Sequence, residues 1–257
     1  MAPLVLLIGA AAIDSLRLPV LLGLLVGSLV TARVAPHRFL VWAGCLIVAL
    51  NLAWGSAPQT PFIGGASCAE RLAPFAAQRV IGAILVLGCV GVVMRLRRMA
   101  PSEVGLRWPS RGWLLASVVA LPLVGLAAIF LGPVLAEPFF GPLTRPTAGF
   151  GGLVAAILFA LANASMEEVA FRGALMRWLA PATGVVNALA LQALVFGLAH
   201  GTGADFIGSP LPVMAATAAA ALVLGVLAIR TRSLLLPIAI HVVLDIPVFF
   251  GKACLGS

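Results

Sequence analysis

The 257-residue chain is 62% hydrophobic and only 9% charged, a composition outside the range of soluble globular domains that reads as a polytopic membrane protein. Its formal charge of +8 arises from fifteen arginines and one lysine against eight acids. In a soluble chain that balance would point to nucleic acid. Here the arginines stand at the ends of apolar runs and no basic helix with interleaved aromatics accompanies them, so nucleic-acid binding is set aside.

Residues 2–13 are apolar but lack the charged n-region of a signal peptide, and are expected to be a first membrane segment. After a break at Asp14-Ser15-Leu16-Arg17, apolar runs cover roughly 18–34, 39–54, 79–94, 113–136, 150–180, 185–200, 212–229 and 234–250. The pattern predicts an all-α, polytopic transmembrane helix bundle of about eight or nine spans. Residues 1–105 are assigned to N-terminal spans and a basic cytoplasmic link, and 106–257 to a catalytic membrane domain. The 55–78 stretch, with Pro58, Pro61, Gly64, Gly65 and Pro74, has turn chemistry and reads as a loop carrying a solvated Glu70–Arg71 pair. Residues 137–149, with three prolines, read as an external loop with Glu137 and Arg145 in solvent. Trp108 and Trp113 beside arginines mark the 99–111 link as an interfacial anchor.

Positive charge stays in the cytoplasm. Arg95, Arg97, Arg98, Arg107 and Arg111 therefore place their link inside, and helix alternation then puts Arg230 and Arg232 on the same side, together with Arg33 and Arg38. The four cysteines show no metal-ligand spacing. Cys45 and Cys89 read as core residues, and Cys68 and Cys254 lie outside the apolar runs. Sparse lysine with abundant alanine and arginine suggests a bacterial cytoplasmic membrane. No internal repeat is visible.

The chemistry concentrates in Asn163-Ala164-Ser165-Met166-Glu167-Glu168-Val169-Ala170-Phe171-Arg172-Gly173. One ionised side chain at the centre of a lipid-facing helix costs about 3 kcal/mol, so Glu167, Glu168 and Arg172 are expected to face inward. On a helix Glu168 and Arg172 are four apart and can pair, while Glu167 lies in line with Asn163 and Phe171. Of three histidines, His37 sits in a basic link, but His200 and His241 lie inside apolar runs. His200 shares a face with Phe196, with Gly197 and Ala199 allowing another helix close; His241 shares a face with Asp245. A lone intramembrane histidine is as readily a helix–helix hydrogen bond as a functional group. Three acids and two histidines on three runs between 150 and 250 can instead meet at one polar cavity.

Glu167-Glu168-x-x-x-Arg172, Phe196-x-x-x-His200 and His241-x-x-x-Asp245, in that order on successive apolar runs, resemble the CPBP family of CAAX-processing and bacteriocin-processing intramembrane endopeptidases, also called Abi. The resemblance covers roughly residues 110–250. It implies a metal-independent glutamic endopeptidase open toward the cytoplasm, with no cofactor and a peptide or membrane-protein substrate. Glu167 would activate water, with His200 positioning it or sharing the proton, and Glu168 with Arg172 would orient the site. His241 and Asp245 would stabilise the oxyanion; since a deprotonated Asp245 cannot donate, it either carries a proton or orients His241 through its ring N–H. Three other readings of the same residues stand beside this one. They are a zinc site with an open position, a proton-relay transporter, and a non-catalytic immunity or scaffold protein. Oligomeric state is not legible.

Overall fold

The computed structural model describes residues 1–55, 68–140, 150–201 and 209–253, and among them only helices occur. In chain order they are α1 (Ala2–Ala12), a 3-10 turn (Asp14–Leu16), α2 (Arg17–Val34), α3 (Phe39–Gly55), α4 (Cys68–Arg97) and a second 3-10 turn (Pro101–Val104). There follow α5 (Arg111–Phe140), α6 (Phe150–Glu167), a π-helical segment (Glu168–Met176), α7 (Arg177–Thr183), α8 (Val185–His200), α9 (Leu211–Thr231) and α10 (Leu235–Ala253). Five stretches, Asp14–Val34, Glu70–Arg97, Arg111–Leu131, Gly151–Thr183 and Leu211–Thr231, are long and apolar enough to cross a bilayer, and four shorter apolar helices accompany them. The protein is an integral membrane helix bundle.

The break at residue 14 has a physical cause. Asp14 pairs with Arg17 at 2.7 Å. The Arg17 guanidinium also donates to the carbonyls of Ala10 and Leu52, satisfying backbone acceptors that the ends of α1 and α3 leave open. At 11 residues, α1 is about 16 Å long, roughly half the hydrocarbon thickness. It buries Leu4, Leu7, Ala10 and Ala11 against α3 and α8 instead of spanning alone.

Helix α4 begins at Cys68, so the second half of the expected 55–78 loop is helical. Leu72, Phe75 and Ala76 recur at helical spacing and are buried against Ala155, Ala156 and Phe159 of α6 and Phe249 of α10. The Phe75 and Phe159 rings stack at 5.1 Å and Phe249 closes the group at 5.2 Å from Phe159. This aromatic packing outweighs the interior Pro74. Helix α5 likewise runs on through Phe140, which makes residues 137–140 helical where a loop is expected; Arg145 lies outside the described residues. Cys45 is buried but Cys89 is exposed, a correction to the reading of both as core. In a bilayer an apolar thiol facing lipid is as well solvated as one facing protein, so hydrophobicity alone does not separate the two.

The two basic links meet on one face. Leu234 donates its backbone N–H to the Gly105 carbonyl at 2.8 Å, and Ser233 donates its hydroxyl to the Arg107 carbonyl. Gly105 adopts a left-handed φ of 84°, which only glycine takes without strain. Val104 and Leu234, both fully enclosed, pack beneath Gly173, where an added Cβ would lie 3.0 Å from the Val104 carbonyl. The resulting basic cap closes the bundle directly under the π-helical segment. Trp108 is 77% exposed beside it.

Candidate active site

The site is a ladder between two helices. On α6, Asn163 and Glu167 are one turn apart; on α10, His241 and Asp245 are one turn apart, and the two helices pack together. One rung brings Glu167 Oε2 to 3.7 Å from His241 Nε2. The other is a hydrogen bond in which Asn163 Nδ2 donates to Asp245 Oδ2 at 2.9 Å. Along α10, His241 Nε2 is 3.6 Å from Asp245 Oδ1. His241 Nε2 therefore faces two carboxylates at once.

The other ring nitrogen is held from the π-helical segment. His241 Nδ1 lies 2.9 Å from Glu168 Oε1. An ionised carboxylate only accepts, so Nδ1 carries the donated hydrogen and the ring orientation is set. Glu168 and Arg172 are both fully enclosed, with Nη1 3.2 Å from Oε1. The attraction is Coulombic, because no guanidinium N–H of Arg172 has an aligned acceptor among the described residues. Compensation comes from an aromatic face: the Arg172 guanidinium carbon sits 4.6 Å above the Phe196 ring. A π-helix closes its hydrogen bonds over five residues instead of four, and such segments recur at functional sites. Here the change falls between Glu167 and Glu168, so the two neighbouring carboxylates belong to different helical geometries.

Phe196 joins the third helix to this cluster. Its ring lies 5.0 Å from Phe171 edge-on, 4.4 Å from His200 and 6.4 Å from His241. His200 Nδ1 is 2.8 Å from the Phe196 carbonyl. A carbonyl only accepts, so Nδ1 is the protonated nitrogen and Nε2 the basic one. Close approach of α9 locks α8 in place. A Cβ at Gly197 would lie 2.7 Å from the Met214 carbonyl and 2.8 Å from Ala218 Cβ, which is why glycine occupies that position.

The structure thus brings Glu167, Glu168, Arg172, His241 and Asp245 into direct contact and sets His200 beside them across Phe196. Asn163 belongs to none of the three motifs, and its only signal in the sequence is its position one turn before the double glutamate, on the face of Glu167. Among the described residues, no three His, Cys, Asp or Glu side chains converge in an arrangement able to hold a metal ion. Depth along the fold is modest. From Leu235, at the basic cap, to His241 is about 9 Å of helix.

No curated protein and no solved structure matches the chain. A protein-family model does, over residues 148–247, and its description is "Type II CAAX prenyl endopeptidase Rce1-like". That segment runs from the start of α6 into α10 and contains every residue of the ladder, the π-helical segment and α8. Residues 148–247, less than half of the 257-residue chain, are thus similar to the Rce1-like type II CAAX prenyl endopeptidases.

Proposed function

We propose that this protein hydrolyses a peptide bond close to the basic face of the membrane by glutamate-activated water, without a metal. The observation that carries this is the position of His241. Glu168 binds its Nδ1 at 2.9 Å, and its Nε2 faces Glu167 at 3.7 Å, so a fixed imidazole stands beside a carboxylate in an enclosed polar cluster. Glu167 is the general base, and His200, with Nε2 as its basic nitrogen, orients the water or shares its proton.

In the first step Glu167 takes a proton from water as the water oxygen bonds to the scissile carbonyl carbon. The carbonyl π electrons move onto oxygen, and His241, held between carboxylates as the imidazolium with a hydrogen on each ring nitrogen, donates Nε2–H to that developing oxyanion. On collapse the C–N bond breaks, the nitrogen leaves with the proton from Glu167, and a carboxylic acid and an amine result. Glu168 and Arg172 position His241, and Asp245 accepts from Asn163 while facing the imidazole. The approximate 9 Å from the basic cap to His241 favours entry from the side where positive charge gathers, the cytoplasmic side by the charge rule. A lipid-anchored peptide or membrane-protein tail fits that entry, a prenylated one being what the family description names. On this reading residues 1–105 buttress a catalytic domain spanning 106–257, in a bacterial cytoplasmic membrane.

The test is cleavage of a farnesylated CAAX-type peptide and a membrane-tethered peptide library by purified, chelator-treated protein, beside Glu167→Gln. Cleavage that survives chelation and vanishes in the variant is the expected result. Loss on chelation with recovery on adding zinc would replace the mechanism with a metalloprotease, and absence of Glu167-dependent cleavage would refute the reading.

A further inference from the structure

The Asn163–Asp245 rung is not used by the chemistry above as more than a support, yet it holds the one neutral amide in the ladder. Asn163 is only 7% exposed. Its Nδ2 gives one hydrogen to Asp245, and its Oδ1 is buried with no hydrogen-bond partner among the described residues. A buried amide oxygen without a donor is costly to leave unsatisfied, and the second Nδ2 hydrogen has no acceptor among the described residues either. A carboxamide held by a carboxylate, with one donor and one acceptor still to satisfy, is complementary to a peptide group, which offers one acceptor and one donor.

Direction matters. Asp245 accepts in this bond, and as an ionised carboxylate, the state this reading gives it, it has no hydrogen to offer an oxyanion. The groups that can donate near Glu167 are His241 Nε2 and Asn163 Nδ2, and both address the same carboxylate, at 3.6 Å and 2.9 Å. Asp245 thereby holds an imidazole and an amide side by side, one turn along from the base. Arg172 is no competitor for this role, because its guanidinium is fully enclosed between Glu168 and the Phe196 face.

The geometry points to Asn163 as a substrate-binding catalytic residue, whose side-chain N–H joins His241 in holding the oxyanion and whose Oδ1 accepts a backbone N–H of the substrate. Asp245 is the positioning residue that fixes the amide. This rests on the hydrolytic reading above. It also gives Asp245 a task as an ionised acceptor, so the site needs no proton on that carboxyl.

The experiment measures kcat and KM on the farnesylated peptide for wild type, Glu167→Gln, Asn163→Ala, Asn163→Asp and the exchange Asn163→Asp with Asp245→Asn, alongside each variant's folded fraction in detergent. Loss of an oxyanion donor predicts a fall in kcat of about 100- to 1,000-fold for Asn163→Ala, with KM changed far less. Asn163→Asp keeps the size but loses the amide and falls as far; the exchange returns an amide to the rung and recovers at least about tenfold. Should Asn163→Ala not fold, Asn163→Asp and the exchange carry the same comparison. If cleavage depends on Glu167 but Asn163→Asp keeps kcat within about threefold of wild type, or the losses merely follow the folded fraction, Asn163 is structural and the inference is wrong while the hydrolytic reading stands. Absence of Glu167-dependent cleavage overturns both together.

Discussion

Two long apolar helical stretches of similar appearance in the sequence have opposite fates. The Gly151–Thr183 rod is 61% buried over its most apolar window, whereas Arg111–Leu131 of α5 is 6% buried. Both are rich in leucine, valine and alanine, and neither is amphipathic in the way a soluble surface helix is. The difference lies in a handful of polar groups. Glu167, Glu168, Arg172 and Asn163 cannot face lipid at acceptable cost, so the rod that carries them must lie inside, whereas α5 has nothing in its span to hide. In a bilayer the polar residues, not the apolar ones, decide which helix is central.

That contrast can be broken in order of effect. Glu167→Gln removes the base from the rod and is expected to lower cleavage by about 100- to 10,000-fold while leaving the fold intact, measured as kcat beside detergent melting. Arg172→Leu leaves Glu168 charged and enclosed; it should cost about 3–5 kcal/mol of stability, read from thermal unfolding in detergent. The double change Glu168→Leu with Arg172→Leu should recover much of that loss of stability but no activity, because His241 Nδ1 loses its partner. Gly197→Ala drives a methyl into the Met214 carbonyl and Ala218, so it should destabilise by about 1–3 kcal/mol and separate α8 from α9. At the other extreme, Leu115→Val on α5, at a position 71% exposed, should shift stability by less than about 0.5 kcal/mol. A large effect there would mean that α5 docks something other than lipid.

The start of α4 and the two cysteines show where reading by residue type stops. Pro74 and the glycines before it look like a loop, yet Leu72, Phe75 and Ala76 at spacings of three and four are a helix face in search of a partner. Only Phe159 and Phe249, far along the chain, supply it. Cys45 and Cys89 sit in equally apolar surroundings, and which of them meets protein is a question of rotation about the helix axis that no local signal answers.

The sequence by itself determined that the chain is an all-helical membrane bundle, because 62% hydrophobic content in runs separated by arginines admits little else. It also determined the polar groups that would have to meet, since each is too costly to leave in lipid, and the Glu168–Arg172 pairing, since four residues on a helix bring side chains together. The tertiary structure alone decided three things. It set the π-helical geometry that begins at Glu168, which carboxylates His241 Nδ1 and Nε2 face, and the direction of the Asn163–Asp245 bond. Each depends on where α6 and α10 cross and in what rotation. That is fixed by packing summed over the whole bundle, and no stretch of sequence short enough to read as a motif contains it.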